Sequence, residues 1–276
     1  MKVGRRYRVL DLAFLTLLTL VWLIPLAMMV AISVTPSSQR GLKFGGLLIS
    51  GVSAENYAHV FRDTPVLLHL FNSIVITGAS VALVVAAGSL AAYAFARMRL
   101  FAKEFWFYLL IVTLMLPIPA LVVPIFRLNK DLGLLNSYFG LILPYTALGA
   151  PFAIIILRSF FESLPKEVEE AALLEGASRF AIYWRIVMPM SWPALSVVII
   201  FQFLTSFNEF ILALVTIDKT ELKPLTLVPL LYADAFLTHP GDLFAVLTII
   251  TIPVIVVYLL MQRFLISGLA AGGARA

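Results

Sequence analysis

Leu67 to Ala96 reads LLHLFNSIVITGASVALVVAAGSLAAYAFA, a run of 30 residues without an Asp, Glu, Lys or Arg. A helix needs ~20 apolar residues to cross ~30 Å of hydrocarbon, so this stretch is long enough for a complete span. Outward from it, five further stretches are nearly as free of charge. They are Leu12 to Ile32, Phe105 to Phe126, Leu132 to Leu157, Ile186 to Asn208 running on to Ile217 past one acid, and Leu243 to Gln262. The runs are continuous, whereas barrel strands alternate in ~10-residue segments. The expected fold is an all-α polytopic membrane protein with six transmembrane helices, at about 10–34, 66–96, 105–126, 137–160, 190–217 and 243–264, in a single domain over 1–276.

Composition agrees. Of 276 residues 62% are hydrophobic and 13% charged, against ~45–50% and ~25% in a soluble domain. The net charge of +5 has no basic cluster beyond the N-terminus, which argues against a nucleic-acid partner. Without cysteine there is no disulfide scaffold, thiolate metal site or Cys nucleophile.

Lys2, Arg5, Arg6 and Arg8 precede the first run, as in a secretory signal, but that run exceeds the ~7–15 residues of a signal's apolar region and no small-x-small cleavage site follows. It reads as a retained anchor. With the N-terminus inside, the inner segments carry 13 of the 20 Lys and Arg and the outer ones 7, which places both termini in the cytoplasm. Pro25, Pro117, Pro119, Pro144, Pro151 and Pro253 fall in or near spans as kinks, with Pro117 and Pro119 the best pair for a break near a transport path. His69 and Asn72 read as interfacial polar groups, and His59 and His239 as outer-loop residues without chemistry.

Between the fourth and fifth spans Arg158 to Pro189 is the most charged stretch. Ser163-Leu164-Pro165-Lys166-Glu167 has the form of a helix start, with Pro in the first turn and acids facing the macrodipole. Gly176 is placed to end that helix in the left-handed conformation. Ser178 then caps a second helix, Arg179 to Val187, which Pro189 and Pro193 end. Val168, Ala171 and Ala172 put small apolar groups on one side, with Glu169 and Glu170 beside them. An amphipathic helix resting on headgroups prefers Lys and Arg on its polar face, so the acids favour docking to another protein.

Glu170-Ala171-Ala172, then Gly176 six residues after Glu170, and Ile186-Val187-Met188-Pro189 together resemble the cytoplasmic E-A-A-x-x-x-G … I-x-L-P loop of permease subunits in binding-protein-dependent ATP-binding-cassette importers, with Met188 in place of the usual Leu. Ala54-Glu55-Asn56-Tyr57, Asn72-Ser73, Gly88 to Ala94 with Arg97, Phe207-Asn208-Glu209-Phe210 and the tail Gln262-Arg263-Phe264 to Gly273 are similar to the carbohydrate branch of that family, in particular its maltose-type subunit.

The resemblance implies a type I importer permease fold in a bacterial or archaeal cytoplasmic membrane. It implies a coupling loop over 163–189 that docks on a separate ATPase through Glu169, Glu170, Ala171, Ala172, Gly176 and Pro189, with Glu170 placed for an ion pair. Expected partners are a second homologous permease, an ATPase dimer that binds ATP and Mg, an extracytoplasmic solute-binding protein, and a sugar, di- or oligosaccharide in size. No cofactor belongs to this chain itself. Lys219-Thr220 lacks a preceding glycine loop, so the chain carries no phosphate-binding loop of its own. An importer of a polyamine, phosphate or peptide is the alternative reading. A membrane enzyme lacks the motifs, and an ion-driven transporter the paired repeats and midplane charges.

Glu209 is the only acid well inside a span, which makes it a functional hypothesis by default. Gln202, Ser206 and Glu209 share a helical face with Thr205 beside it, and Gln202, Ser206, Asn208 and Glu209 are the candidate substrate path. The other readings of Glu209 are an interfacial carboxylate or a pair with a partner helix. The tail Ser267 to Ala276 is either a frayed end or, as the resemblance suggests, a segment inserted between ATPase subunits.

Overall fold

The computed structural model describes residues 5–36, 51–233 and 240–273, with the side chains of 5–10 and 263–273 excepted. His239 and the side chains of the tail lie outside the described residues. Four helices are long and apolar enough to cross a membrane: Asp11–Ser33 within α1 (Arg5–Ser33), α3 (Val66–Arg97), α6 (Phe139–Ser163) and Pro240–Gln262 within α12 (Pro240–Gly273). Two bent pairs bring the number to six when each is counted as one span. No strand occurs among the described residues; the fold is all-helical.

The first bent pair joins α4 (Lys103–Thr113) to α5 (Ile118–Asp131) at 101°. Pro117 precedes α5 in an extended conformation and Pro119 lies in its first turn. A residue before proline is pushed out of the helical region, so Leu116, which precedes Pro117 and lies outside both helices, marks the place where the pair bends. Pro144 and Pro151, by contrast, sit inside a continuous α6.

The second pair joins the rod Arg179–Met190 to α10 (Trp192–Phe207) at 78°. The rod consists of α8 (Arg179–Ile182), a π-helical turn (Tyr183–Val187) and α9 (Met188–Met190). Pro189 therefore lies within the rod, which runs on to Met190, three residues beyond the end expected at Val187. The rod stops at Ser191, whose buried hydroxyl donates to the Val187 carbonyl at 2.7 Å. Past α10 the chain breaks at Asn208–Phe210 and resumes as α11 (Ile211–Thr216).

The chain forms two compact units, Met1–Val66 with Val228–Ile252, and Leu67–Leu227 with Pro253–Ala276. In the first, α2 (Glu55–Asp63) is fastened to the end of α1. Asn56 Nδ2 donates to the carbonyls of Ser33 and Thr35 at 2.9 and 2.8 Å, and the Tyr57 and Ser33 hydroxyls are 2.8 Å apart. His59 lies 3.7 Å from the Asp242 carboxylate and 3.8 Å from that of Glu55.

The second unit has two apolar clusters. One gathers Val84, Ala92, Tyr93, Ala153, Ile154, Leu157, Phe161, Ile182, Tyr183 and Val187, tying α3 and α6 to the rod. The other gathers Ile76, Leu141, Ile142, Tyr145, Leu212, Ala213 and Ile217, tying α3 and α6 to α11. Lipid is as apolar as these side chains, so close packing and hydrogen bonds drive their association. At Gly88 an added Cβ would stand 3.0 Å from the Ala153 side chain, the close approach expected of a small residue.

His69 and Asn72 depart from the interfacial expectation, both being fully buried. His69 Nδ1 donates to the Lys223 carbonyl at 2.8 Å, and Asn72 Nδ2 donates to the carbonyls of Glu221 and Lys223 at 2.9 and 3.0 Å. Tyr138 donates to Asn72 Oδ1 at 2.7 Å, and Leu225 N to Ser73 Oγ at 2.8 Å. These polar groups pin the 218–225 segment over the start of α3, a long-range partnership that local sequence does not display.

Candidate functional site

The helix α7 (Lys166–Leu174) starts after Pro165 and has Glu167 and Glu169 in its first turn. Its end is a Schellman motif. Gly176 N–H donates to the Leu173 carbonyl at 3.0 Å and Ala177 N–H to that of Ala172 at 2.9 Å, around Gly176 at φ +86°. That left-handed position is where glycine alone avoids a Cβ penalty. Ser178 caps the following rod, its Oγ accepting from Ala181 N at 3.2 Å.

The two faces of α7 have different roles. Inward, Glu169 Oε1 accepts from Arg97 Nε at 2.6 Å, and the two side chains are only 13% and 8% exposed. Tyr93 hydroxyl donates to Glu169 Oε2 at 3.3 Å, and Arg97 Nη2 donates to the Leu164 carbonyl at 2.9 Å. Ala172, one turn on from Glu169, packs on the first apolar cluster.

The outward face carries Glu170, Ala171 and Leu174, which fall together at a 3.6-residue period. All three are exposed, Leu174 to 91%. This corrects the expected side chain grouping: Ala172 turns in with Glu169, while Ala171 turns out with Glu170. The distinction arises from Arg97, which draws Glu169 toward α3. Arg97 stood in the sequence only as the end of a similar stretch; the clue to its role is that it is the first charge after 33 residues without one, Thr64 to Ala96.

Behind α7 the rod is held by Tyr183, whose hydroxyl lies 2.7 Å from that of Ser89 on α3 and whose ring is 5.4 Å from that of Tyr93. On the neighbouring side, Arg158 bridges Glu104 and Glu162, each at 2.8 Å, and lies 3.9 Å over the Phe107 ring. The hydrogen-bonded Arg158 guanidinium holds the Glu104 carboxyl below its ordinary range. The loop thus rests on ion pairs and aromatic contacts with α3, α4 and α6.

The second candidate region is the break in the fifth span. Glu209 Oε1 accepts from Leu212 N at 2.8 Å, and Oε2 accepts from Ala213 N at 3.1 Å and from the Tyr145 hydroxyl at 2.8 Å. The carboxylate therefore caps α11 at its positive end, and the Glu209 carbonyl accepts from Thr226 Oγ1 at 3.2 Å. Gln202 and Ser206 are buried, with Gln202 Nε2 donating to Ser206 Oγ at 2.8 Å and to the Tyr145 carbonyl at 3.1 Å. Gly149 makes room for that amide, because a Cβ there would fall 1.8 Å from Gln202 Oε1. Gln202, Ser206 and Glu209 thus face α6 and α11, with their polar atoms engaged by this chain.

Phe201 and Thr205 are exposed on α10, with Asn208 exposed just past its end. Phe201 stacks on Phe152 of α6 with ring centroids 3.9 Å apart. Irregular backbone at membrane depth is tolerated where it is buried in protein or lines a cavity, and the Asn208–Phe210 break has a buried side and an open one. Among the described residues there is no group of three His, Asp or Glu able to hold a metal.

Several helices long and apolar enough to span a bilayer, two bent helix pairs and buried polar side chains between them define a multi-pass membrane protein. Residues 84–270 match the family described as the binding-protein-dependent transport system inner membrane component, and the chain belongs to that family. It is 31% identical over 273 residues to the diacetylchitobiose uptake system permease protein NgcG of Streptomyces coelicolor, covering 98% of this chain and 90% of the relative. It is 32% identical over 255 residues to the trehalose transport system permease protein SugB of Mycobacterium tuberculosis, covering 92% of each. A chain of a bacterial ABC transporter that imports the acidic polysaccharide alginate superposes with a TM-score of 0.79 over 96% of this chain and 98% of that one, at 24% identity, a likeness of fold.

Proposed function

We propose that this chain is one half of the membrane channel of an ATP-driven sugar importer, with both termini in the cytoplasm of a bacterium or archaeon. The α7 helix and the rod that follows form its coupling loop, docking on a separate ATPase that binds ATP and Mg. The observation that carries the reading is the division of α7: one face is clamped to α3 through Glu169, and the other offers Glu170, Ala171 and a bare Leu174 to a partner. An apolar side chain exposed between an acid and a small residue on a rigid helix suits close approach by another protein. Gly176 sets the angle between α7 and the rod, and Pro189 lies where the rod meets its bend. A push on α7 therefore reaches α3 through Glu169 and α10 through the rod.

The remaining partners are a second permease, completing the channel, and an extracytoplasmic binding protein that delivers the solute. The sugar assignment rests on relatives named for diacetylchitobiose and trehalose uptake, so the solute is of disaccharide or oligosaccharide size. In the path we place Asn208 with Thr205 and the stacked Phe201, exposed on α10 and just past its end. Gln202, Ser206 and Glu209 shape that wall from behind, holding the break open.

The test is Glu170→Lys alongside Leu174→Asp in the assembled transporter. Both variants should insert and keep the unfolding midpoint of the parent, yet lose sugar uptake and fail to co-purify with the ATPase. Normal uptake by both would overturn the coupling assignment.

A further inference from the structure

A cavity of about 420 Å³ opens beside the Arg97–Glu169 pair, lined by Arg97, Met98, Arg99 and Arg179. Arg97 ends α3, Arg99 follows it in the connection to α4, and Arg179 begins the rod, so three guanidiniums from two distant segments converge on one space. The guanidiniums of Arg99 and Arg179 have no hydrogen bond or ion pair with any described residue. Arg97 commits Nε to Glu169 and Nη2 to the Leu164 carbonyl, so that its position is fixed while Nη1 stays out of both bonds. Glu169 neutralises Arg97 alone, so Arg99 and Arg179 beside it repel it and each other, and an anion is the chemistry that relieves them. Guanidinium forks match phosphate oxygens in geometry as well as charge.

A second, apolar groove of about 460 Å³ begins on the same stretch of chain, lined by Phe95, Trp106, Leu109, Leu110 and Thr113. Phe95 in the groove and Met98 in the cavity are three residues apart, neighbours on one helical face. The cations lie at the end of a span, and Phe101, Phe105 and Trp106 nearby are exposed to 94%, 62% and 51%, as aromatic residues are at a membrane interface. A docked protein would supply the anion but would leave the apolar groove without a reason; a lipid accounts for both.

We propose that Arg97, Arg99 and Arg179 hold the phosphate of an anionic phospholipid whose acyl chain lies along the Phe95–Trp106 groove. Because Arg97 also holds Glu169, the lipid steadies the α3 side of the coupling loop. The proposal needs neither an ATPase nor a sugar, so it stands or falls apart from the transport reading.

Trp106 lines the groove and is the natural reporter. The full chain with Trp22, Trp184 and Trp192 each changed to Phe is placed in phosphatidylcholine vesicles. Its fluorescence is then quenched by dibrominated phosphatidylglycerol or by dibrominated phosphatidylcholine at equal mole fraction. Attraction at each surface arginine is ~1 kcal/mol, so quenching should report a local enrichment of phosphatidylglycerol of about fivefold or more. The Arg99→Gln, Arg179→Gln double variant should reduce it to parity, and the double Lys variant should keep most of it. Parity in the parent, or a preference that survives the Gln variant, overturns the site. Loss of the preference on adding inorganic phosphate at constant ionic strength overturns the lipid in favour of a free anion. A preference seen in the isolated chain and absent from the assembled transporter gives the cavity to a partner subunit and equally overturns it.

Discussion

Two acids of this chain are held by a tyrosine, and they differ in what neutralises them. Glu169, on α7, takes a hydrogen bond from Tyr93 and a 2.6 Å bond from Arg97. Glu209, at the break between α10 and α11, takes one from Tyr145 and two from the backbone N–H groups that open α11. At Glu169 a full counter-charge is brought in on a long side chain from the end of α3, and with Ala172 packed on the first apolar cluster it fastens one face of α7. Around Glu209, packed among α6 and α11, a second buried charge would be costly, and the partial charge of a helix N-terminus fixed in the backbone serves instead. The first arrangement suits a joint that transmits movement, the second a wall that must not move.

That contrast predicts unequal losses. Glu209→Ala leaves Leu212 N–H, Ala213 N–H and the Tyr145 hydroxyl without their acceptor, each worth about 1–3 kcal/mol when buried. A total near 4 kcal/mol should appear as a lower denaturant midpoint of the purified chain, with Tyr145→Phe recovering only the hydroxyl's share. Arg97→Ala leaves Glu169 largely buried and unpaired, at about 3 kcal/mol. The exchanged pair Arg97→Glu with Glu169→Arg should regain more than half of that, and with it the coupling of ATP hydrolysis to uptake. An exchange that fails to recover either would show that Glu169 is held by shape and not by charge, which breaks the comparison.

How far these regions were legible follows from the range of the interactions. The loop was open to reading because its signals are local: Pro165, the first-turn acids, Gly176 and Ser178 all act within a few residues. Which of Glu169 and Glu170 faces inward was not, because Arg97 decides it from 72 residues away. The polar stripe of the fifth span was similarly half visible. Periodicity groups Gln202, Ser206 and Glu209, yet only Tyr145 and Gly149 on α6 determine that this stripe is the buried one. The six apolar runs announced the spans, while the 101° turn at Pro117 needed the backbone to show it.

Gly176→Val tests the joint in a smaller way. A β-branched residue at φ +86° carries a strain of about 1–2 kcal/mol. The stability loss should be below that of Arg97→Ala, while uptake falls much further, since the angle between α7 and the rod changes. Uptake and stability falling in proportion would mean that the angle carries no signal.

The smallest effect is expected at a third acid, Glu104, the most water-exposed of the three. Arg158 donates to it at 2.8 Å and holds its carboxyl below the ordinary range. A carboxyl depressed in the folded state contributes stability above its unfolded pKa and loses it as pH falls through the folded value. Thermal unfolding between neutral pH and the range below the ordinary carboxylate value should therefore show an acid-side loss in the parent that is shallower in Glu104→Gln. Arg158 keeps Glu162 as a second partner, so the variant should be close to the parent at the acid end and differ at neutral pH. If removing Glu104 costs as much as removing the Arg97 partner of Glu169, burial is not what separates a pivot from a surface tie, and the ranking of the three acids fails.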